Sequence, residues 1–241
     1  PGEQLFIVRI DHDTVTVSAD STGTLLHKRG YRQATAKAPM RETLAAAMLL
    51  SSGWSRGEPL VDPLCGSGTI PIEAALIARN MAPGMNREFR FERWPGFDRA
   101  GWAALRDEAQ AGVADAAPAS IVASDRDSGA IEAAMSNAVR AEVSGDVQIV
   151  QQPLSATSPS DERTGWLMTN PPYGVRVGTD VRNLYARLGS MMQTSFAGWK
   201  LGILSASTEL DRQLGITLEQ VFEAKNGGIG IRFLRGRAPN E

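Results

Sequence analysis

The 241-residue chain has a single cysteine, Cys65, and only two histidines, His12 and His27. One cysteine excludes an internal disulfide framework and fits a reducing, cytoplasmic setting. Two distant histidines offer no metal-ligand spacing, so no metal is expected. No uninterrupted apolar run approaches the ~20 residues that span a bilayer, so no membrane span is expected. The opening "PGEQLFIVRI" lacks an initiator methionine and has no basic region leading into an apolar one. It reads as a piece of a longer protein rather than a signal peptide. A net charge of −2 leaves no overall basic excess to announce a nucleic-acid binder. Internal repeats and long linkers are also missing. What is present is 42% hydrophobic content, enough for one large domain with its own core.

"QLFIVRI" and "TVTVSAD" flank "DHD" and read as two short strands joined by a turn. Residues 1–30 are taken as this hairpin and a linker, and 31–241 as the main domain. The stretch "LLHKRGYRQATAKAPMRETL" carries Lys28, Arg29, Arg32, Lys37 and Arg41 before its first acid, Glu42. Residues 41–52 read as an Ala/Leu-rich helix ended by Gly53. Strands are expected at "PLVD", "SIVASD", "DVQIV", "TGWLMTN" and "KLGILSA". Helices are expected at "TIPIEAALIARNM", 100–113, "SGAIEAAMSNAVRAE", "DVRNLYARLGSMMQTSF" and 207–214. Residues 80–98 look like an irregular insertion. The end, "ITLEQVFEAKNGGIGIRFLRG", reads as two strands joined at "NGG", a hairpin signal. Alternating strands and helices imply an α/β fold, an open and mostly parallel sheet with helices on both faces. Ligands in such sheets bind beyond the carboxyl ends of the strands, at the topological switch point.

"LVDPLCGSGTIPIEAAL" is a strand, a Gly66-Ser67-Gly68 turn, then a helix. The glycines let the backbone bend tightly and approach a ligand. A dinucleotide fingerprint would want a third glycine at 71, where Pro71 stands, and no Gly-Lys-Ser/Thr makes a P-loop. Alone the turn is weak evidence. Asp62, closing the strand, adds a carboxylate suited to a positively charged ligand, and S-adenosylmethionine (SAM) carries an ammonium and a sulfonium. In "IVASDRD", Asp125 ends the next parallel strand, where an acid can accept from ribose hydroxyls. A helix-capping role is the plainer alternative, and Asp127 could equally fill it.

"TNPPYG" follows the "TGWLM" run. Pro171 and Pro172 push the residues before them into extended conformation and donate no N–H. With the side chain of Asn170 they make a fixed set of acceptors, suited to gripping an exocyclic amino group. Tyr173 offers a face on which a base can stack. Cys65 lies in the glycine turn and reads as a packing residue, not a nucleophile.

Together, "DPLCGSGTIPIEAALIARNMAPG", "LLHKRGYRQATAKAPMRETLAAAMLL" and "TNPPYGVRVG" resemble the bacterial THUMP-associated RNA guanine-N2 methyltransferases. Proteins of this kind are often labelled N6-adenine-specific DNA methylases, because they share Asn-Pro-Pro-Tyr. The resemblance implies a Rossmann-like, SAM-dependent fold of seven strands ending in an antiparallel hairpin. It places Asp62, Gly66 and Gly68 at the methionine end of SAM, with Leu64, Ser67 and Thr69 in the same turn. It places Asp125, with Arg126, at the ribose. Asn170, Pro171, Pro172 and Tyr173 fall at the target amino group, and Asn170 also at the cofactor. The implied substrate is 23S rRNA or tRNA, and the basic 28–41 stretch becomes a candidate RNA surface or part of the cofactor pocket. The arginines and aromatics of 80–98 could touch RNA or form a lid on the sheet. Two departures stand out. Pro153 occupies the place of an expected acid after the third strand, leaving adenine to a backbone group or Gln152. The THUMP region, which would supply RNA affinity and to which the 1–30 hairpin would connect, is absent. Adenine-N6 methylation and an inactive SAM- or RNA-binding module are the alternatives.

Overall fold

The computed structural model describes residues 4–33, 40–159, 163–173 and 179–237. A two-stranded sheet comes first, β1 (Phe6–Asp11) against β2 (Thr14–Ala19), exposed along both strands. After helix α1 (Glu42–Ser52) comes the main sheet: β3 (Leu60–Asp62), β4 (Ile121–Asp125), β5 (Val147–Gln151), β6 (Trp166–Thr169), β7 (Lys200–Ser205), β8 (Leu218–Asn226) and β9 (Ile229–Arg237). Its seven strands run in the order β5-β4-β3-β6-β7-β9-β8. The first five are parallel, whereas β9 is antiparallel to both β7 and β8. The expected sheet and terminal hairpin are therefore present, and the switch point lies between β3 and β6.

Strand side chains divide by parity, as a two-residue period requires. Leu60, Ile121, Ala123, Trp166 and Met168 face one core, while Val61, Val122, Leu167, Leu201 and Ile203 face the other. The first core takes α1, α2 (Thr69–Ala78) and α4 (Ser128–Arg140), through residues such as Met48, Ile72 and Ile131. The second takes α5 (Thr179–Gln193) and α6 (Thr208–Gln213), through Tyr185, Leu188, Met192 and Leu210. Burying one such side chain is worth about 1.5–3 kcal/mol, so both faces hold the strand ends firmly in register. Pro71 costs α2 nothing. It is the third residue of the helix, and the first bond of the helical ladder runs from the Ile72 N–H to the Gly68 carbonyl at 3.0 Å.

The insertion is more ordered than its composition suggests. A short 3₁₀ turn spans Arg90–Arg93; Phe89 and Phe91 pack on Trp102 of α3 (Arg99–Ala111) and Phe97 packs on Phe91, with ring centroids 5.1–5.8 Å apart. Its hydrogen bonds go to the N-terminal segment: Phe91 N–H to the Ser21 carbonyl at 3.0 Å, and Trp94 Nε1 to Gln4 Oε1 at 2.8 Å. That corrects the expectation of a lid on the sheet. The aromatic rings pack on one another, and the segment is tied by hydrogen bonds to Gln4 and Ser21.

Candidate active site

Asp62, at the end of β3, is 1% exposed. Its Oδ1 accepts from the Leu64 N–H at 3.2 Å and from the Thr169 hydroxyl at 2.8 Å. Thr169 closes β6, so the second bond crosses the switch point. Burial, helped by the nearby Asp125 charge, pushes the Asp62 carboxyl up to about 7, against those two hydrogen bonds. No cation among the described residues offsets it. Gly66 and Gly68 have φ of +53° and +82°. A Cβ on Gly68 would stand 3.1 Å from that of Ala134, whereas one on Gly66 would meet nothing within 4 Å. Gly68 thus lets α2 close against α4, and Gly66 leaves open space beside the acids. Ser67 and Thr69 are buried, and the Ser67 carbonyl accepts from Asn137 Nδ2 at 3.0 Å.

Asp125 ends β4, and its two oxygens accept from the Gly66 N–H and the Asp127 N–H, each at 3.0 Å. The helix cap belongs to Asp127, which accepts from the Ala130 N–H at 3.0 Å. Asp125 is therefore committed to the glycine turn and not to capping α4. Arg126 is exposed, and its carbonyl accepts from Gln151 Nε2 at 3.4 Å. Gln152 reaches Thr157 Oγ1 at 3.4 Å while its backbone N–H bonds the Asp125 carbonyl at 3.0 Å. Pro153 precedes a short 3₁₀ turn, Leu154–Ala156.

Asn170 follows β6 directly. Its Oδ1 is buried and has no hydrogen-bond partner among the described residues. Pro171 is buried, Pro172 exposed, and Tyr173 half-buried against the first core. The Tyr173 hydroxyl accepts from Asn226 Nδ2 at 2.9 Å. Gly174 lies outside the described residues. Two chemistries therefore meet at the switch point. On one side are two acids and an open glycine turn, a match for a ligand with a cation and hydroxyls. On the other is an acceptor still wanting an N–H donor.

Residues 29–234 match the family described as RMKL-like, methyltransferase domain. The chain belongs to that family. Among its relatives, the ribosomal RNA large subunit methyltransferase K/L of Psychromonas ingrahamii is 41% identical over 228 residues, covering 92% of this chain and 30% of that protein. The protein of the same name from Syntrophotalea carbinolica is 39% identical over 241 residues, covering 94% and 34%. A crystal structure of SMU.472, described as a methyltransferase complexed with SAH, matches with a TM-score of 0.87 at 33% identity. That match covers 99% of this chain and 62% of SMU.472. The chain spans 30–58% of the length of the curated relatives it matches.

The methyltransferase domain braces its glycine-turn helix from behind. Glu73 of α2 is buried, and its Oε1 accepts from the Tyr31 hydroxyl at 2.9 Å and pairs with Arg29 Nε at 2.9 Å. Burial pushes the Glu73 carboxyl up to about 7; Arg29 and Tyr31 oppose the rise, while the Glu42 charge adds to it. Arg32 forks onto Glu42 at 3.0 and 3.2 Å, and Arg140 Nε donates to the Tyr31 carbonyl at 2.7 Å. The basic stretch is thus turned partly inward, which corrects its reading as an RNA surface for Arg29 and Arg32. Lys28 and Arg41 remain exposed, and Lys37 lies outside the described residues. Arg87 of the insertion is likewise spent, donating to the Thr22 and Thr24 carbonyls. Two cavities of about 640 and 620 Å³ border the N-terminal segment and share no residue with the switch-point site. Cys65 is buried, and its thiol is held well above the usual range by burial and the two acids, as befits a packing residue.

Sequence reasoning assigned no role to Thr169, Glu73 or Asn226. Thr169 opens "TNPPYG" itself. Glu73 could have been noticed as the lone charge in "TIPIEAALIA". Nothing local to Asn226 distinguishes it from an ordinary turn residue.

Proposed function

We propose that this domain transfers a methyl group from SAM to the exocyclic N2 amino group of a guanosine in RNA, with 23S rRNA as the substrate. The observation that carries the reading is Asn170 Oδ1. It is a buried acceptor without a partner among the described residues, one residue beyond the Thr169 hydroxyl that is bonded to Asp62. A buried polar atom left unpaired costs about 1–3 kcal/mol, and it is retained where a ligand completes it. The two relatives named for large-subunit ribosomal RNA support that substrate class.

In this reading Asp62 holds the SAM ammonium, residues 64–69 line its methionine end, and Asp125 with Arg126 receives the ribose. Once bound, SAM supplies an electrophilic methyl group on a positively charged sulfur. Asn170 accepts a hydrogen bond from the target amino group and fixes the direction of its nitrogen. Pro171 and Pro172 contribute carbonyls with no competing N–H. An amino group conjugated to a base is a poor nucleophile, so holding it in line is a large part of the rate. The same acceptors stabilise the positive charge that develops on nitrogen. No strong base is required, because the methylated amino group becomes acidic and would lose its proton to water, with SAH as the other product. Tyr173 stacks on a base that must be unpaired or flipped out. A THUMP region would supply most of the RNA affinity.

Adenine N6 presents a similar amino group, and the family resemblance supports guanine as the base. The test is incubation with tritiated SAM and undermodified 23S rRNA, followed by nucleoside chromatography. N2-methylguanosine is the expected product, and N6-methyladenosine alone would overturn the base assignment. Asn170→Ala should lower turnover at least ~100-fold, with SAH affinity nearly unchanged by calorimetry. Its thermal stability should hold or rise, since the variant removes an unpaired buried atom.

A further inference from the structure

We propose that Asn226 is a positioning residue that fixes the Tyr173 ring through the tip of the C-terminal hairpin. The proposal rests on the reading of Asn170–Tyr173 as the grip on the target base. β9 runs antiparallel to β7, and Ser205, the last residue of β7, pairs with Arg232. Residues 229–231 therefore extend past the carboxyl edge of the sheet, by roughly 10 Å at ~3.4 Å per residue. The edge they pass is the one that carries the site.

The tip is held rigidly. Asn226 pairs with Ile229 across Gly227 and Gly228, whose φ values are +57° and +85°. Two left-handed central residues make the kind of turn that matches strand twist in a hairpin. Phe222, Ala224 and Asn226 alternate onto one side of β8. Phe222 and Ala224 pack against the same core that receives Tyr173. A paired strand thus delivers the Asn226 amide to the phenol oxygen, 2.9 Å away. Tyr173 itself packs on that core but follows two prolines and belongs to no described helix or strand. The backbone ladder of the hairpin does not use the Asn226 side chain, so truncating that side chain leaves the sheet intact. A ring released by even about 1 Å can cost up to about 100-fold in rate.

The chain has three tyrosines, and Tyr31 and Tyr185 are both buried. Fluorotyrosine labelling should give one ¹⁹F resonance for each, that of Tyr173 being assigned by its loss in Tyr173→Phe. Asn226→Ala should shift and narrow the Tyr173 resonance and leave the other two in place. In single turnover with tritiated SAM and undermodified 23S rRNA, Asn226→Ala and Tyr173→Phe should each slow transfer about 10- to 100-fold, with SAH affinity within about twofold. The double variant should be no slower than the slower single, because both substitutions remove one bond. Asn226→Asp should recover most of the rate, since a carboxylate can accept from the phenol. An unmoved resonance, an unchanged rate or multiplied losses would each overturn the proposal. A wild-type protein inactive on RNA would instead count against the proposed function, and the fluorine shift would still judge the tie.

Discussion

Replacing Asp62 with asparagine should stabilise the ligand-free protein at neutral pH while removing its grip on the cofactor. The folded protein raises this carboxyl from 3.8 to about 7. Because the folded value lies above the unfolded one, the folded state keeps the proton longer. Stability from this group is complete below about pH 4 and is lost as pH rises to about 7, where the loss levels off. A rise of that size corresponds to about 4 kcal/mol as a ceiling. An asparagine amide keeps the acceptor for Leu64 and Thr169 but carries its own burial cost of about 1–3 kcal/mol. The net gain at pH 7.5 is then about 1–3 kcal/mol. For a chain of this size that is roughly 2–12 °C in melting temperature. Melts of both proteins by circular dichroism at pH 4.5 and 7.5, without ligand, give the comparison. At the lower pH the variant should equal the wild type or fall up to about 2 kcal/mol below it. The amide's cost applies at any pH, while the wild-type carboxyl has there lost only about 1 kcal/mol. At the higher pH the variant should be the more stable. SAH binding to the wild type near pH 6 should release close to ~1 proton, read from calorimetry in buffers of different ionisation enthalpy. A variant destabilised equally at both pH values, or binding without proton release, would refute the idea of a buried acid awaiting a cation.

The two glycines of the turn should part ways. Gly68→Ala drives a Cβ to 3.1 Å from Ala134 at a φ of +82°, and should lower stability by about 1–3 kcal/mol in a urea melt. Gly66→Ala meets open space, so its stability loss should stay near ~1 kcal/mol while SAH affinity falls by a larger factor. Tyr31→Phe removes the hydroxyl bonded to Glu73 and should cost about 1–3 kcal/mol. That hydroxyl lowers the Glu73 pKa. Without it the loss of stability with rising pH should run further into the alkaline range, measured as melting temperature against pH.

Local signals accounted for much of this molecule. Strand and helix order follows from alternation and turn residues, as at "NGG". The switch point follows from the parallel crossovers, and it brought Asp62, Asp125 and Asn170 to one edge without any knowledge of contacts. What stayed hidden is long-range. Arg29 and Arg32 read as solvated charges because their partners, Glu73 and Glu42, are buried only once α1 and α2 pack on the sheet. Helix α2 is buried almost all round, so its sequence shows no polar face to orient it. The bond between Tyr173 and Asn226 joins residues 53 apart, and neither local sequence announces the other.

The placement of β9 beside β7 sets an order on how the site comes into being. A ribosome delivers the chain from one end. The segments that carry Asp62, the glycine turn, Asp125 and Asn170 all emerge before the hairpin does. Tyr173 must then wait for Asn226, 53 residues later. At about 5–20 residues per second that is roughly 3–10 s. During that interval β7 lacks its antiparallel neighbour and the Tyr173 hydroxyl lacks the Asn226 amide. Vectorial synthesis thus makes the tie from Asn226 to Tyr173 one of the last contacts of the domain that can form.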